Sequence, residues 1–357
     1  MAGRSPLFDR LCTAVPALVR RAPPPHDESR WHRATLGDHV RRFAQPITLT
    51  PYASARACSA RCRFCSETLR PAHGGTMAAR LRPGADYFAL LRKALSQVRG
   101  IPMSWSLSGL EASDDEDWLL ELLDTLAAEE RDGGVIHDRV LYSNGAGLAR
   151  ARGDELVAAL ERFGLSWLEL SRHDSEQHRN QAIMRFRIGE PIADQDVFAR
   201  TAAAVATRVP VKLVCILQKD GVCDAAGLRA YLRWAAELGV QGVIVRDLSR
   251  LDDHYRSTTS RRYIDGARVS IESVLVDCMA APWWDSLMPL RMTEGYYFWN
   301  LVARTPGGME VTFEVSDYAA MHQRHQTGDV YKLVFHANGS LCAGWEPDRD
   351  VLWTAAS

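Results

Sequence analysis

Short apolar segments alternate with longer amphipathic segments six times between residues 47 and 246. The short segments are typical of buried strands, and the longer ones repeat their apolar residues at helical spacing. The predicted strands span residues 47–51, 103–108, 139–143, 166–171, 211–217 and 241–246. Such an order predicts an α/β fold with a parallel sheet. It fits an open doubly wound sheet or an incomplete barrel, and in both the carboxyl ends of the strands gather ligands.

Helix ends are marked at several points of this pattern. Ser113 followed by Glu116 predicts a capping box at the start of the helix after the second strand. Gly164 and Gly239 follow the apolar residues of two later helices and predict left-handed caps. These signals mark where helices begin and end within the repeat of strands and helices.

The pattern changes after residue 250. Residues 258–277 read as one long helix, and two hairpin signals follow, with turns at Thr305 to Gly308 and at Asn338 and Gly339. We therefore expect a small antiparallel C-terminal extension, residues 251–357, which is a candidate lid over the main domain at residues 46–250. Residues 1–45 are expected to form an N-terminal arm with a short helix at residues 11–19, around Pro16.

Composition narrows the class of protein. Hydrophobic residues make up 46% of the 357 residues and the formal net charge is −1, which are values of an ordinary globular chain. Near-neutral charge makes a nucleic-acid partner unlikely, and no apolar run approaches the ~18 residues of a membrane span. A cytoplasmic protein is expected, because no signal-peptide pattern is seen.

Three of the eight cysteines lie within eight positions, as Cys58, Cys62 and Cys65 in a CxxxCxxC motif just after the first predicted strand. Three thiolates on one loop can bind three irons of a cubane cluster and leave the fourth iron open to a small molecule. The alternative is structural zinc, which needs four ligands, and His73 is the nearest candidate for the fourth. The motif therefore predicts a metal site at the carboxyl end of a strand.

With Phe64 before its last cysteine, this motif resembles the signature of the radical S-adenosylmethionine (radical SAM) superfamily, and the resemblance covers residues 45–250. It implies a partial (βα)6 TIM-like barrel and a [4Fe-4S] cluster held by the three cysteines. It also implies reductive cleavage of S-adenosylmethionine to a 5′-deoxyadenosyl radical, with an external one-electron reductant such as flavodoxin or ferredoxin.

Further segments resemble the family's cofactor contacts in the same order. Ser108, Gly109 and Glu111 stand where the family has a Gly-Gly-Glu motif for the methionyl amino group, although Leu110 replaces the second glycine. Asn144 lies in a segment that resembles a Thr-Asn-Gly segment beside the cofactor. The alternatives are that Glu111 begins the acidic first turn of a helix, and that the Asn-Gly pair is a bare turn.

The fourth and sixth strands supply the last candidates. The resemblance implies that Ser171 or Arg172 lies near the ribose or methionyl carboxylate, and that Val245 lines the adenine and substrate sites. A guanidinium suits a carboxylate, which favours Arg172. Arg246 holds an anionic group or pairs with Asp247.

The substrate is not encoded in a motif. The remaining cysteines form no second CxxC pair, and this argues against a peptide maturase with auxiliary clusters. We therefore expect hydrogen abstraction from a small molecule in specialised metabolite biosynthesis, with peptide or RNA modification as the alternative. A zinc-stabilised binding protein without redox activity is the alternative of another class.

Overall fold

The computed structural model describes residues 6–21, 27–36, 39–69 and 82–355, and the fold is given for these ranges. The strands are β1 (Leu18–Arg20), β2 (Trp31–Leu36), β3 (His39–Tyr52), β4 (Met103–Leu107), β5 (Ile136–Ser143), β6 (Trp167–Ser171), β7 (Val211–Leu217), β8 (Gly242–Asp247), β9 (Met288–Glu294), β10 (Phe298–Arg304), β11 (Glu310–Ser316), β12 (Val330–His336), β13 (Leu341–Cys342) and β14 (Val351–Trp353). The helices are α1 (Pro6–Ala14), α2 (Tyr87–Gln97), α3 (Glu116–Arg131), α4 (Gly153–Phe163), α5 (Gln177–Met184), α6 (Gln195–Ala206), α7 (Ala225–Glu237), α8 (Thr259–Ala267), α9 (Ile271–Met279) and α10 (Tyr318–His325).

The six predicted strands are present as β3 to β8. They lie side by side in chain order, and every neighbouring pair is parallel. A doubly wound sheet reverses its strand order at one point, whereas this order winds in one direction, as in a barrel. The prediction of an α/β fold with a parallel sheet is confirmed, and the order selects the incomplete barrel.

Side chains alternate between two faces along these strands. The outer face is apolar and packs in the main core beneath the helices, with Leu49, Trp105, Leu141, Leu213 and Val243 all buried. The inner face, toward the barrel interior, carries many polar residues instead: Thr48, Thr50, Ser104, Ser106, Tyr142, Glu169 and Arg246. Thr50, Ser104 and Glu169 are buried, so their polar groups need partners within the chain or in a ligand.

The C-terminal region widens the barrel wall. β11 lies parallel to β8, and β12 lies parallel to β3, so one parallel strand is added at each edge of the six. α10 connects these two added strands. The expected antiparallel extension is also present, because β10 pairs with β11 and β12 pairs with β13 in antiparallel hairpins. Both added strands belong to the predicted hairpins, but their parallel pairing with β8 and β3 was not predicted.

The N-terminal helix lies earlier than residues 11–19. α1 ends at Ala14, two residues before Pro16, because proline has no backbone N–H to continue a helix. Residues 18–20 instead form β1, which pairs in parallel with β9. Phe8 of α1 packs edge-on against Trp299, with 5.8 Å between ring centroids.

The helix predicted at residues 258–277 is two helices, so that prediction is wrong in its middle. The backbone of Arg268 is extended, with φ −56° and ψ 129°. Its guanidinium binds the carbonyl of Leu248 at 2.8 Å and the buried carboxylate of Asp247. These contacts hold Arg268 at the end of β8, and α9 therefore starts afresh at Ile271.

The predicted capping box is also wrong, although the helix is present. α3 begins at Glu116, and its cap is Asp115, whose Oδ1 accepts from the amide of Trp118 at 3.1 Å. Ser113 lies one step earlier, in a short 3-10 turn at Ala112–Asp114. The caps at Gly164 and Gly239 are confirmed, with φ of 69° and 71°.

The sheet runs across both predicted domain boundaries. β3 extends from His39 to Tyr52, through residue 45, and strands from beyond residue 250 join the same sheet. The division into 1–45, 46–250 and 251–357 stays a prediction about folding units.

Helix length bears on the membrane prediction. In the ranges described, no helix is long and apolar enough to cross a bilayer. The helix α3 has 16 residues, and a span needs about 20 apolar ones.

Candidate active site

The cysteine loop leaves the carboxyl end of β3 and lies along the last turn of α5 and the segment that follows it. The amide of Arg61 donates to Met184 O at 3.0 Å, and that of Arg63 donates to Ile183 O at 3.1 Å. In return, the amide of Arg187 donates to Ser59 O at 3.0 Å. The loop is therefore fixed by backbone hydrogen bonds as well as by its chain connections.

An ion-paired carboxylate anchors the same loop from the other side. Asp114 Oδ2 accepts from the amide of Ser59 at 2.6 Å. Its Oδ1 accepts from Arg150 at 2.8 Å, and Arg150 also binds Glu190 at 2.9 Å. The side chain of Asp114 is only 4% exposed. This buried network therefore joins the loop to the segments that follow β4 and β5. Asp114 was not predicted as a site residue, because acidic residues are common at the start of a helix.

Cys58, Cys62 and Cys65 line one cavity of about 820 Å³ at the carboxyl ends of the strands. Burial, with the charge of the Glu111 carboxylate second, raises the pKa of the Cys58 thiol to about 12. Burial raises the pKa of Cys62, followed by the effect of Cys65 and Cys58, and burial raises that of Cys65 as well. The three sulfurs are thus close enough to act on one another in a poorly solvated place.

These residues fit an iron–sulfur cluster. Buried thiols become thiolate ligands when a positive metal centre compensates their charge, and hydrogen bonds to the sulfur tune such centres. The amide of Ala60 donates to Cys58 Sγ at 3.4 Å, and Asn144 Nδ2 lies 3.6 Å from the same sulfur. Within residues 6–21, 27–36, 39–69 and 82–355, no group of three or more His, Cys, Asp and Glu side chains is gathered so as to hold a single metal ion. His73, the fourth ligand of the zinc alternative, lies outside the described residues.

The segment after β4 turns sharply beside the cavity. Gly109 has φ of 115°, and a Cβ there would lie 3.3 Å from the ring of Tyr52. Leu110, where the resembled motif has glycine, also adopts a positive φ, 55°, and its side chain lines the cavity. Ser108 precedes this turn and is half-buried. The turn exists despite the missing glycine.

Glu111 is 2% exposed, and donors of this chain surround its carboxylate. Oε1 accepts from the amide and hydroxyl of Ser113 at 3.1 and 2.6 Å and from the Ser143 hydroxyl at 2.8 Å. Oε2 accepts from the amide of Asn144. Burial raises the pKa of Glu111 to about 7, although these hydrogen bonds lower it. The carboxylate therefore ties the ends of β4 and β5 together.

Asn144 reaches the cysteine loop directly. Its Nδ2 donates to Ser59 Oγ at 3.0 Å, and its Oδ1 accepts from the amide of Ala146 at 2.9 Å. The side chain is 7% exposed, so both of its ends are held. The Asn-Gly pair is therefore more than a bare turn.

Phe64 and the end of β6 meet at the inner end of the loop. The ring of Phe64 stands edge-on to His173, with 4.9 Å between centroids. His173 Nδ1 accepts from the amide of Ile216 at 3.2 Å, and burial, with the charge of Arg172 second, lowers the pKa of His173 to about 3. This histidine is a neutral structural contact. Ser171 is half-buried at the end of the strand.

Arg172 is not brought to the cavity, and the suggestion that it binds a cofactor carboxylate is corrected. Its side chain is fully buried on the helix side of the sheet. There Nη1 donates to Ile192 O at 3.1 Å and Nη2 donates to Gln195. Its guanidinium lies 4.6 Å from the centre of the Phe198 ring. Strand alternation explains the placement, because Arg172 follows Ser171 and its side chain points to the opposite face.

Val245 is also turned away from the interior. It is fully buried in the main core, and its backbone pairs with Cys215 and Phe313 in the sheet. Arg246 takes the inward position, but it pairs with Glu169 at 2.8 Å and with Glu314 at 2.6 Å, and Asp247 pairs with Arg268 instead. Neither Glu169 nor Glu314 was predicted from the sequence, although inward alternation along β6 was an available signal for Glu169.

Comparison with known proteins gives structural matches alone. No protein-family model and no curated protein matches the chain. Among solved structures, SuiB of Streptococcus suis bound to S-adenosylmethionine is similar at 14% identity and TM-score 0.48, over 84% of this chain and 60% of that one. Coproporphyrinogen III oxidase (HemN) of Escherichia coli, described as a radical SAM enzyme, is similar at 11% identity and TM-score 0.43, over 72% of this chain and 67% of that one.

A third structure, anSMEcpe with bound AdoMet and the Cp18Cys peptide, is similar at 12% identity and TM-score 0.43, over 56% of this chain and 50% of that one. The chain thus spans half to three fifths of SuiB and anSMEcpe in these complexes. In its own sequence and geometry, this chain resembles the radical SAM superfamily in its cysteine spacing, in its strand order and in the order of the polar segments at its strand ends.

Proposed function

We propose that this chain is a radical SAM enzyme in which Cys58, Cys62 and Cys65 hold a [4Fe-4S] cluster beside a bound S-adenosylmethionine. The observation that carries the proposal is the position of three half-buried thiols on one fixed loop, lining one cavity at the carboxyl ends of parallel strands. Its volume of about 820 Å³ lies in the ~300–1,000 Å³ range of small-ligand sites. When bound, the two cofactors supply an electron and a sulfonium, whose reductive cleavage gives a hydrogen-abstracting 5′-deoxyadenosyl radical.

The chain's own residues hold the loop and exclude water. Asp114 and the segment at residues 183–187 fix the cysteine backbone, so the thiols are presented in one geometry. Asn144 and the amide of Ala60 direct N–H groups at the Cys58 sulfur. Glu111 is assigned a positioning role, because its carboxylate binds Ser113, Ser143 and Asn144.

We assign the S-adenosylmethionine site to the strand ends that border the cavity. Ser108 and the turn at Gly109, Asn144, Ser171 and Phe64 stay in this proposal. The left-handed turn at Gly109 and Leu110 supports it, because a turn of this kind exposes backbone groups beside a ligand. Arg172 and Val245 are left out, since both side chains face the helices.

A small-molecule substrate is proposed for the barrel interior. The support is enclosure: parallel strands surround this space from β12 through β3 to β8 and β11, and α10 crosses between the two outermost strands. Peptide or RNA modification stays the alternative.

An acidic one-electron donor is the proposed reductant. Exposed cations, namely Arg61, Arg185, Lys219 and Arg262, border the cavity. Opposite charge on a partner steers encounter and orients docking, and this suits a protein such as flavodoxin or ferredoxin.

Anaerobic reconstitution with iron and sulfide tests the proposal. We expect four irons per chain, no zinc, and 5′-deoxyadenosine after reduction with S-adenosylmethionine. Cys62→Ala should lose the cluster and the product, because one of three thiolate ligands is gone. Cys223→Ala is the matched control, since Cys223 is exposed and lies outside the loop.

Zinc in the loop, or a cluster that never yields 5′-deoxyadenosine, contradicts the proposal. Equal product from Cys62→Ala and Cys223→Ala does so as well.

A further inference from the structure

One side of the barrel interior carries a buried cation that has no acidic partner. Lys332 of β12 stands in register with Thr48 of β3, and Thr48 with Ser104 of β4. Paired residues of parallel strands point to the same face, so these side chains share the inner surface. Val334 pairs with Thr50 one step further along the same face.

The surroundings of Lys332 are polar but do not compensate its charge. The residue is 6% exposed, its Nζ donates to Thr48 Oγ1 at a long 3.5 Å, and it lies 4.4 Å from the centre of the Trp345 ring. Among the described residues, no carboxylate lies within ion-pair distance of it. Burial lowers the pKa of Lys332 to about 7. An ammonium has three N–H donors, and the chain supplies one weak acceptor.

The titratable group beside Lys332 is His325 of α10, which cannot act as a counter-ion. Burial, with the charges of His322 and Lys332 after it, lowers the pKa of His325 to about 4, so it is neutral near pH 7. If protonated, it would repel the ammonium. Glu346, which follows Trp345 in the chain, pairs with His254 at 2.7 Å, so it does not form an ion pair with Lys332 either.

Unpartnered polar atoms belong to Thr50, two residues along β3 from Thr48, to His325, on which the charge of Lys332 acts, and to Tyr296, whose ring lies beside that of His325. Thr50 Oγ1, Tyr296 OH and His325 Nε2 are buried and have no hydrogen-bond partner among the described residues. The rings of Tyr296 and His325 lie 5.9 Å apart. Buried polar groups are normally hydrogen-bonded, and several unpaired groups beside one cation indicate a ligand that supplies the missing partners.

Depth separates this site from the cofactor cavity. Tyr52 ends β3 just before the cysteine loop, and Thr48 lies four residues earlier. At about 3.3 Å per residue, the backbone of Lys332 is ~13 Å below the end of the strand. Its side chain reaches upward, since Nζ lies 4.4 Å from the Trp345 ring, which in turn lies 5.1 Å from the ring of Tyr52. A group bound there therefore belongs to a molecule that occupies the interior.

We propose that Lys332 binds a compact oxyanion, a carboxylate or a phosphate, of the substrate within the barrel, with the hydroxyls of Thr48 and Thr50 beside it. This inference rests on the proposed function, since it names the chemical class of that enzyme's substrate. An anionic group completes the three donors of the ammonium and replaces the solvent that burial has removed.

Anion titrations of the reconstituted holoprotein test the inference without turnover. The probes are acetate and inorganic phosphate, with sodium chloride at equal ionic strength as the blank, and the readouts are calorimetry and the melting temperature. We expect saturable binding of at least one probe. Acetate alone indicates a carboxylate substrate, and phosphate alone indicates a phosphorylated one.

Lys332→Met should abolish this binding, whereas Lys212→Met should leave it unchanged. Lys212 is the matched control because it also faces the interior but already pairs with Glu310 at 3.3 Å. The wild type supplies a second test through pH. With a pKa of about 7, Lys332 loses its proton between pH 6 and 8.5, and acetate binding should weaken by roughly 30-fold.

The pH titration needs no variant, so it decides the matter even where Lys332→Met does not fold. Absence of binding by both probes, equal binding by Lys332→Met, or acetate binding that ignores pH overturns the inference. A protein that binds the anion as described and never yields 5′-deoxyadenosine overturns only the proposed function.

Discussion

Two cations that face the barrel interior, Arg246 and Lys332, lie in opposite electrostatic settings. Arg246, on the side of β6, β8 and β11, is neutralised by Glu169 at 2.8 Å and Glu314 at 2.6 Å. Burial alone would lower the pKa of Arg246, but these two carboxylates outweigh it and raise the pKa. Lys332, on the side of β3 and β12, has a long contact to Thr48 and the ring of Trp345.

This contrast separates charges that stabilise the fold from charges that bind a ligand. A cation whose neighbours supply its counter-charges has its partners within the chain. Removal of one partner destabilises the fold, because the remaining charges are left uncompensated. A cation without counter-charges stays unfavourable until something binds it. The wall at Arg246 is therefore structural, and the wall at Lys332 is a binding surface.

Removal of the paired cation should have the largest effect. Arg246→Met leaves two carboxylates facing each other without compensation, and we expect a loss of about 3–5 kcal/mol in the free energy of unfolding. Urea denaturation at pH 7 measures it, with Lys212→Met as the control, which should lose at most ~1 kcal/mol. A loss of stability for Arg246→Met no greater than that of the control would contradict a structural role for Arg246.

Removal of the unpaired cation should act in the opposite direction. The pKa of Lys332 is lowered to about 7 in the folded chain, so between pH 7 and about 10 the unfolded chain binds the extra proton. Stability therefore rises with pH in that window, and the burial penalty is complete below pH 7. Lys332→Met should gain roughly 2–4 kcal/mol at pH 7 and little near pH 10.

Urea denaturation of wild type and variant at pH 7 and pH 10 measures this difference. Destabilisation of Lys332→Met at pH 7 would show that the ammonium has a partner, and so contradict the comparison.

The hydroxyls of Thr48 and Thr50 test the same contrast, with a smaller expected change in stability. Thr50 Oγ1 is buried without a partner, so Thr50→Val removes an unsatisfied group and should gain about 0.5–1 kcal/mol. Thr48→Val is its control, because it deletes the acceptor of Lys332 and should lose a similar amount. Equal changes in the two variants, measured by thermal melting, would mean that partnership does not distinguish the two hydroxyls.

The parallel core was predictable from sequence because its signal is local. Each of the six predicted segments within β3 to β8 is short and rich in apolar residues, and a helical segment lies between each of them and the next. The cysteine motif was equally readable, since its three residues lie on one loop. Gly164 and Gly239 marked two helix ends for the same reason, because a left-handed cap is a property of a few neighbouring residues.

The rest depends on long-range pairing that no local pattern encodes. Lys332 and Thr48 are 284 positions apart, and only the pairing of β12 with β3 brings them together. The side of the sheet reached by Arg172 depends on strand alternation, which a family analogy at residue level overlooked. Arg268 broke a predicted helix because Asp247 binds it across the turn.

The barrel wall between β11 and β12, which α10 connects, differs from the wall between the other neighbouring strands. Strand β12 pairs with β3 and β13, and β11 pairs with β8 and β10, so among the described strands the ladder skips the line between β11 and β12. That line is spanned by side chains, including Tyr296 stacked on Tyr331 at 5.0 Å. Along this line the barrel is therefore closed by side chains and by α10, and no strand pair holds it among the described residues.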